Sequence, residues 1–214
     1  MRSLQELIDE VRHNTNNVEG SRHTDIDLLR YFNTAQRQVQ RLIFNSNPTT
    51  PVFVKESVFT FQSGIKQYSL PQDLYAMGAI IAVFPIRTGG IESEAIQRIT
   101  EREQITKAGY YVKGKNIYLS AGSVGESVTQ VRISYVKRLP SFTSVNDIPE
   151  LPEETEDFLT SFVERKINYV DSSQDIINSN VFTTEEKQEL IELFADTSSD
   201  IKYPVVSDET YITY

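Results

Sequence analysis

Cysteine is absent from the 214-residue sequence, which excludes disulfides, thiolate metal sites and a cysteine nucleophile. The lack fits a reducing compartment. Histidine is nearly absent as well. His13 and His23 are the only two; both are expected in a polar loop region, and two neutral imidazoles without Cys partners seldom make a metal site. The longest apolar run, residues 77–84, is too short to cross a bilayer, and residues 1–6 lack the apolar core of a signal peptide. Basic residues are scarce at one end. Up to Arg138 there are 17 Lys and Arg against 13 Asp and Glu, but from Leu139 onward there are 4 against 17, so a mildly basic part (+4) precedes a strongly acidic one (−13). Such an acidic surface is poorly suited to gripping phosphates. It suits a solvated helix pair with a tail, a docking role, or the wall of a passage through which DNA slides without sticking.

What is present is enough for a core. A chain that is 39% hydrophobic can bury one of its own, and the length suits a single globular, soluble domain with room for an appendage. Ser3 and Glu6 form a capping-box pattern, and Leu4, Leu7, Ile8 and Val11 share one helical face. After a polar break, Thr24 and Asp25 are good N-cap types for a longer helix over 26–44 with Leu28, Leu29, Phe32, Ala35, Val39, Leu42 and Ile43 on its apolar side. Arg30, Arg37 and Arg41, with Gln36, Gln38 and Gln40, are expected to give that helix a polar outer side. Without interleaved aromatics it suits a solvated or subunit-facing surface better than a nucleic-acid helix.

The stretch 58–75 organises the middle of the chain. It is read as two strands joined at Gly64, with Leu70-Pro71 ending the second. A buried strand is expected over 76–84, ending at Pro85, and another over 94–99. Thr100 and Glu103 predict a short helix closed by Gly109, residues 110–119 a tight hairpin turning at Gly114-Lys115, and Val131, Ile133 and Tyr135 a half-buried strand. Pro140, Pro149 and Pro152 mark a linker. Beyond it, Phe158, Leu159, Phe162, Val163, Ile167 and Val170 form the apolar stripe of a helix expected to pack on that of 26–44, and Thr183 with Glu186 opens a last amphipathic helix. The resulting fold class is α+β: a helical bundle of residues 1–50 and 151–196, an inserted antiparallel β-module over 51–139, a linker over 140–150 and an extended C-terminal arm over 197–214.

No constellation of residues points to catalysis or to a cofactor. Gly109 to Asn116 nearly matches a phosphate-binding loop, but Asn116 stands where Ser or Thr should hold magnesium, and strand formers fill its interior. There is no Gly-x-Ser-x-Gly elbow. The acidic run from Glu153 to Asp157 sits at a predicted helix N-terminus, where negative charge is favourable for structural reasons alone. The arm carries Tyr203, Val205, Val206, Tyr211, Ile212 and Tyr214. These groups are costly to leave in water, so the arm either folds back as a strand or docks on a neighbour or partner.

The order of these features resembles the head-to-tail adaptor proteins of short-tailed bacteriophages. The resemblance is carried by the Arg/Gln-rich helix from Asp27 to Arg41, the segment Tyr68-Ser69-Leu70-Pro71-Gln72-Asp73, the hairpin Tyr111 to Leu119, and the Pro-flanked return into helix. It implies a structural virion protein without catalytic residues or cofactors. It implies a homo-oligomeric ring, commonly of about twelve subunits, at the head-tail junction beneath the portal protein. The ring would extend the channel for double-stranded DNA, without sequence-specific binding or any membrane, and give other tail or neck proteins their platform. The helical bundle would build the ring wall, the β-part would face the tail, and the arm would bind the portal. Arg30, Arg37, Arg41 and the six apolar residues of the arm are the expected partner contacts. Two other readings stand beside this one: a soluble interaction or regulatory module that never enters a virion, and a virion-associated cell-wall glycosidase using two carboxylates.

Overall fold

The computed structural model describes residues 1–16, 22–120, 124–125, 127–171 and 182–195. The expected arm over 197–214 lies outside them. The chain is α+β and forms two compact units: Met1–Val52 with the segment that begins at Leu139, and Phe53–Arg138.

Four helices build the first unit: α1 (Leu4–Asn14), α2 (Asp25–Ser46), α3 (Glu156–Asp171) and α4 (Thr184–Ala195). Ser3–Glu6 and Thr24–Asp27 form complete capping boxes. Thr183 and Glu186 hydrogen-bond each other's backbone N–H in the same way. Each box satisfies amide donors that a helix start would otherwise leave unpaired. Leu4, Leu7, Ile8 and Val11 of α1, Leu28, Phe32, Ala35, Val39 and Ile43 of α2, Leu159, Phe162, Val163 and Ile167 of α3 and Leu190 and Phe194 of α4 are buried. α3 packs on α1 and α2, as its apolar stripe predicts, and α2 also packs on α4. The acidic run falls where expected, at the start of α3. Its Glu156 is buried, with the Arg2 backbone N–H and Nε donating to its two oxygens at 3.0 and 2.7 Å.

Two readings change in this unit. Gln36 and Gln40 are buried, not part of a polar outer side. His13 belongs to α1, and His23 is buried with Nε2 3.3 Å from Asp171 Oδ1 and its ring edge-on to Tyr31. The glutamines turn inward because an extended strap leading to α3 lies against α2. Gln36 Nε2 donates to Pro140 O (2.7 Å), Leu139 N–H to Gln40 Oε1 (3.2 Å), Asn33 Nδ2 to Phe142 O (3.0 Å), and Phe142 N–H to Asn33 Oδ1 (2.8 Å). Further along the strap, Val145 and Asp147 carbonyls accept the N–H groups of Gln5 and Leu4 in the first turn of α1.

The second unit holds two three-stranded antiparallel sheets, in the orders β1-β6-β3 and β2-β5-β4. The strands are β1 (Val54–Thr60), β2 (Gln67–Ser69), β3 (Ile80–Arg87), β4 (Tyr110–Lys113), β5 (Asn116–Leu119) and β6 (Val128–Val136). One core joins them: Val83, Val131, Ile133 and Tyr135 from the first sheet cluster with Tyr110, Ile117 and Leu119 from the second. The hairpin turning at Gly114-Lys115 is present, with Lys113 opposite Asn116 and Gly114 at φ 60°. The near-match to a phosphate loop is therefore strand, turn and strand.

Stretch 58–75 is not a hairpin. β1 pairs with β6 and β2 with β5, so the chain crosses between sheets at a turn where Ile65 N–H donates to Gln62 O. The buried strand begins at Ile80 rather than at residue 76, after a turn in which Ala79 N–H donates to Ala76 O, and it does not stop at Pro85 but runs on to Arg87. β3 is an edge strand. Ser93 and Ile96 N–H groups bond the carbonyls of Pro85 and Val83, so these residues face away from β6 and no ladder bond needs a proline N–H. Residues 94–99 form no regular strand; they leave the β3 edge and join β4 through a single parallel bridge between Arg98 and Tyr110. Thr100 and Glu103 open only a 3-10 turn, Glu103–Ile105. β6 is central, not half-buried, and everything from Ile133 to Val136 is buried. Gly109 closes the turn region because a Cβ there would lie 2.6 Å from Gln97 O and Ile99 Cγ2.

Asn33→Ala strands the backbone N–H and C=O of the buried Phe142 and should cost about 1–3 kcal/mol, against a change within about 0.5 kcal/mol for the exposed Arg41→Ala. Urea denaturation followed by circular dichroism measures both. Gly109→Ala should destabilise the β-unit by about 1–3 kcal/mol through overpacking, read as lost amide-exchange protection across β4 and β5.

Candidate partner interface

The arginines predicted for α2 form one row. Spacings of seven and four residues bring Arg30, Arg37 and Arg41 within about 40° of each other around the helix, on the side opposite Leu28, Phe32, Ala35, Val39 and Ile43. All three are exposed. Arg30 Nη1 lies 3.7 Å from Asp27 Oδ1 and Arg37 Nη2 lies 3.5 Å from Ser141 Oγ. Asp27 is already engaged by the Thr24 hydroxyl and backbone N–H, which hold its carboxyl below the usual range. All three guanidinium groups thus lie on the solvent side of α2. The other predicted contacts, Tyr203, Val205, Val206, Tyr211, Ile212 and Tyr214, lie outside the described residues.

The Tyr68–Asp73 segment that carried the resemblance is a clasp inside the β-unit. Tyr68 stacks on Phe59 with ring centroids 4.4 Å apart, and its hydroxyl donates to Ile65 O (3.0 Å) and accepts from Gln62 N–H (3.0 Å), fixing the crossing between sheets. Leu70 enters the common core. Pro71 ends the strand, and Asp73 then accepts from the Tyr135 hydroxyl (2.7 Å) and Lys55 Nζ (2.6 Å). Burial acts to raise the Asp73 pKa, but the Lys55 and Tyr135 hydrogen bonds outweigh it and leave the carboxyl below its ordinary value. Burial, reinforced by Asp73, raises the Tyr135 hydroxyl.

Two surfaces escape sequence reading. On the face of the second sheet turned away from the common core, the buried Tyr111 stacks on the half-buried Tyr118 at 4.9 Å, with the Tyr111 hydroxyl donating to Gln104 Oε1 at 3.1 Å. In β1 the bonds from Lys137 N–H to Phe53 O and from Phe61 N–H to Thr129 O place odd-numbered residues toward β6. Val54, Glu56, Val58 and Thr60 therefore turn their backbone groups to an edge on which no strand pairs among the described residues. The alternating Lys55 and Glu56 guard it with charge; they are held by Asp73 and Arg132. Among the described residues no group of three or more His, Cys, Asp or Glu could hold a metal ion, and no helix is long and apolar enough to cross a membrane.

Because the folded pKa of Asp73 is depressed, its contribution is complete above the unfolded value near pH 4 and is lost as pH falls through the lower folded value. Asp73→Asn should flatten the acid loss of stability of the β-unit below about pH 4. Urea midpoints across pH 2–6 check this; parallel curves for variant and parent would refute it.

The family model of the SU10 adaptor protein matches residues 2–202, nearly the whole chain and both of its units. No curated protein matches. The match agrees with the resemblance carried by the Arg/Gln-rich helix and the Tyr68–Asp73 clasp. The chain belongs to the SU10 adaptor protein family, structural bacteriophage proteins that join other components of the virion neck.

Proposed function

We propose that this protein is a head-to-tail adaptor that assembles as a closed ring of about twelve copies beneath the portal, continues the DNA channel and gives the tail its attachment platform. The family match over residues 2–202 carries the reading. The charge distribution supports it. A chain with +4 up to Arg138 and −13 after it offers oppositely charged surfaces to heterologous subunit contacts, and its acidic part repels rather than traps passing phosphates. The arm over 197–214, with Tyr203, Val205, Val206, Tyr211, Ile212 and Tyr214, makes the portal contact in this reading, and the arginine row of α2 serves the assembly.

The decisive measurement is the mass of the complex formed when purified portal rings of the same phage are mixed with this chain near physiological salt. A discrete complex with a fixed number of copies per portal is expected. No association with a portal competent for another neck protein would overturn the reading. Removing residues 197–214 should abolish portal binding while leaving the circular dichroism of the helical unit unchanged, and undiminished binding by that truncation would reject the arm's role.

A further inference from the structure

α2 and α4 each carry a row of like charge on the side turned away from the core. On α4, Glu185, Glu189 and Glu192 fall within about 60° of each other and opposite the buried Leu190 and Phe194. All three are exposed. Glu192 accepts a hydrogen bond from Gln188, while Glu185 and Glu189 make no ion pair among the described residues. On α2, Arg37 and Arg41 likewise make none.

Neighbouring members of both rows repel each other in an isolated subunit, although Glu185, in the first turn of α4, is itself favoured by the helix dipole. Arg37–Arg41 and Glu185–Glu189 are like-charge pairs at four-residue spacing, which repel along a helix surface. Glu192 stands near the C-terminal end of α4, where the helix dipole opposes a negative charge. From Arg30 to Arg41 the basic row spans about 16 Å at the helical rise and from Glu185 to Glu192 the acidic one about 10 Å, so the acidic row falls within the length of the basic one. Beside the basic row, one turn before Arg30, Ile26 is 62% exposed and offers apolar area to the same contact.

Resting on the ring reading, we propose that the outer face of α2 in one copy binds the outer face of α4 in the next, Arg30, Arg37 and Arg41 meeting Glu185, Glu189 and Glu192. The occupant of each face is a second copy of this chain. Since the two rows lie on different helices, the contact is heterologous: every copy added leaves one basic and one acidic face open, and only closure of a ring uses them all. Opposite rows also reject the wrong pairings, basic on basic and acidic on acidic.

The test uses two full-length variants, Arg30→Glu/Arg37→Glu/Arg41→Glu and Glu185→Lys/Glu189→Lys/Glu192→Lys, whose six sites are all exposed. Circular dichroism melting first establishes that both fold. Assembly with portal rings is then read by native mass at near-physiological salt. Each variant alone should assemble at least tenfold more weakly than the parent, because like now faces like at every contact. An equal mixture should restore the multi-copy complex, since the acidic α2 of one meets the basic α4 of the other and the reverse. Either variant assembling like the parent, or two deficient variants failing to rescue each other, overturns this contact and leaves the ring reading standing. A parent chain that forms no multi-copy complex overturns the ring reading and the contact with it.

Discussion

A backbone segment laid against a helix must satisfy its N–H and C=O groups without a ladder, and the helical unit depends on how residues 139–147, of which Leu139 and Phe142 are buried, do so. Asn33, Gln36 and Gln40 sit on one side of α2 and reach the strap's backbone, while carbonyls from the same strap accept from the first turn of α1. Each unpaired group would cost about 1–3 kcal/mol when buried. The strap thereby ties α1 and α2 to the segment that leads into α3. The buried Glu156, held by Arg2, adds a second tie between the N-terminus and α3. A carboxylate so enclosed is tolerable only because both oxygens are engaged.

Local signals were the legible ones. All four helices could be read, because capping boxes and three-to-four periodicity act within a few residues, and the arginine row was placed correctly because it lies opposite an apolar stripe. Thr100–Glu103 shows the limit of that logic: the pattern is present, but the segment is too short and too constrained by Gly109 to hold more than a 3-10 turn. Strand partners were not legible. Whether residues 58–60 and 67–69 pair with each other or with β6 and β5 is decided some fifty to seventy residues away. Gln36 and Gln40 misled for the same reason, since nothing near them in sequence announces the strap roughly 100 residues later.

The resemblance worked through residues that shape the backbone. Tyr68, Leu70, Pro71 and Asp73 each do one job in the clasp: bracing a crossing, filling the core, ending a strand and receiving a buried hydroxyl. None needs to touch a partner for the motif to persist. The exposed charges of α2 and α4 instead carry their information in sign and spacing.

The β-unit leaves the helical unit after Val52 and returns to it at Leu139. For the helical unit those 86 intervening residues, Phe53–Arg138, amount to one long loop. The entropy of closing a loop grows only with the logarithm of its length, about 0.6 kcal/mol for each doubling. Lengthening or shortening the β-unit therefore weighs little on the helices. The two parts are free to diverge at different rates, one keeping its packing while the other changes size.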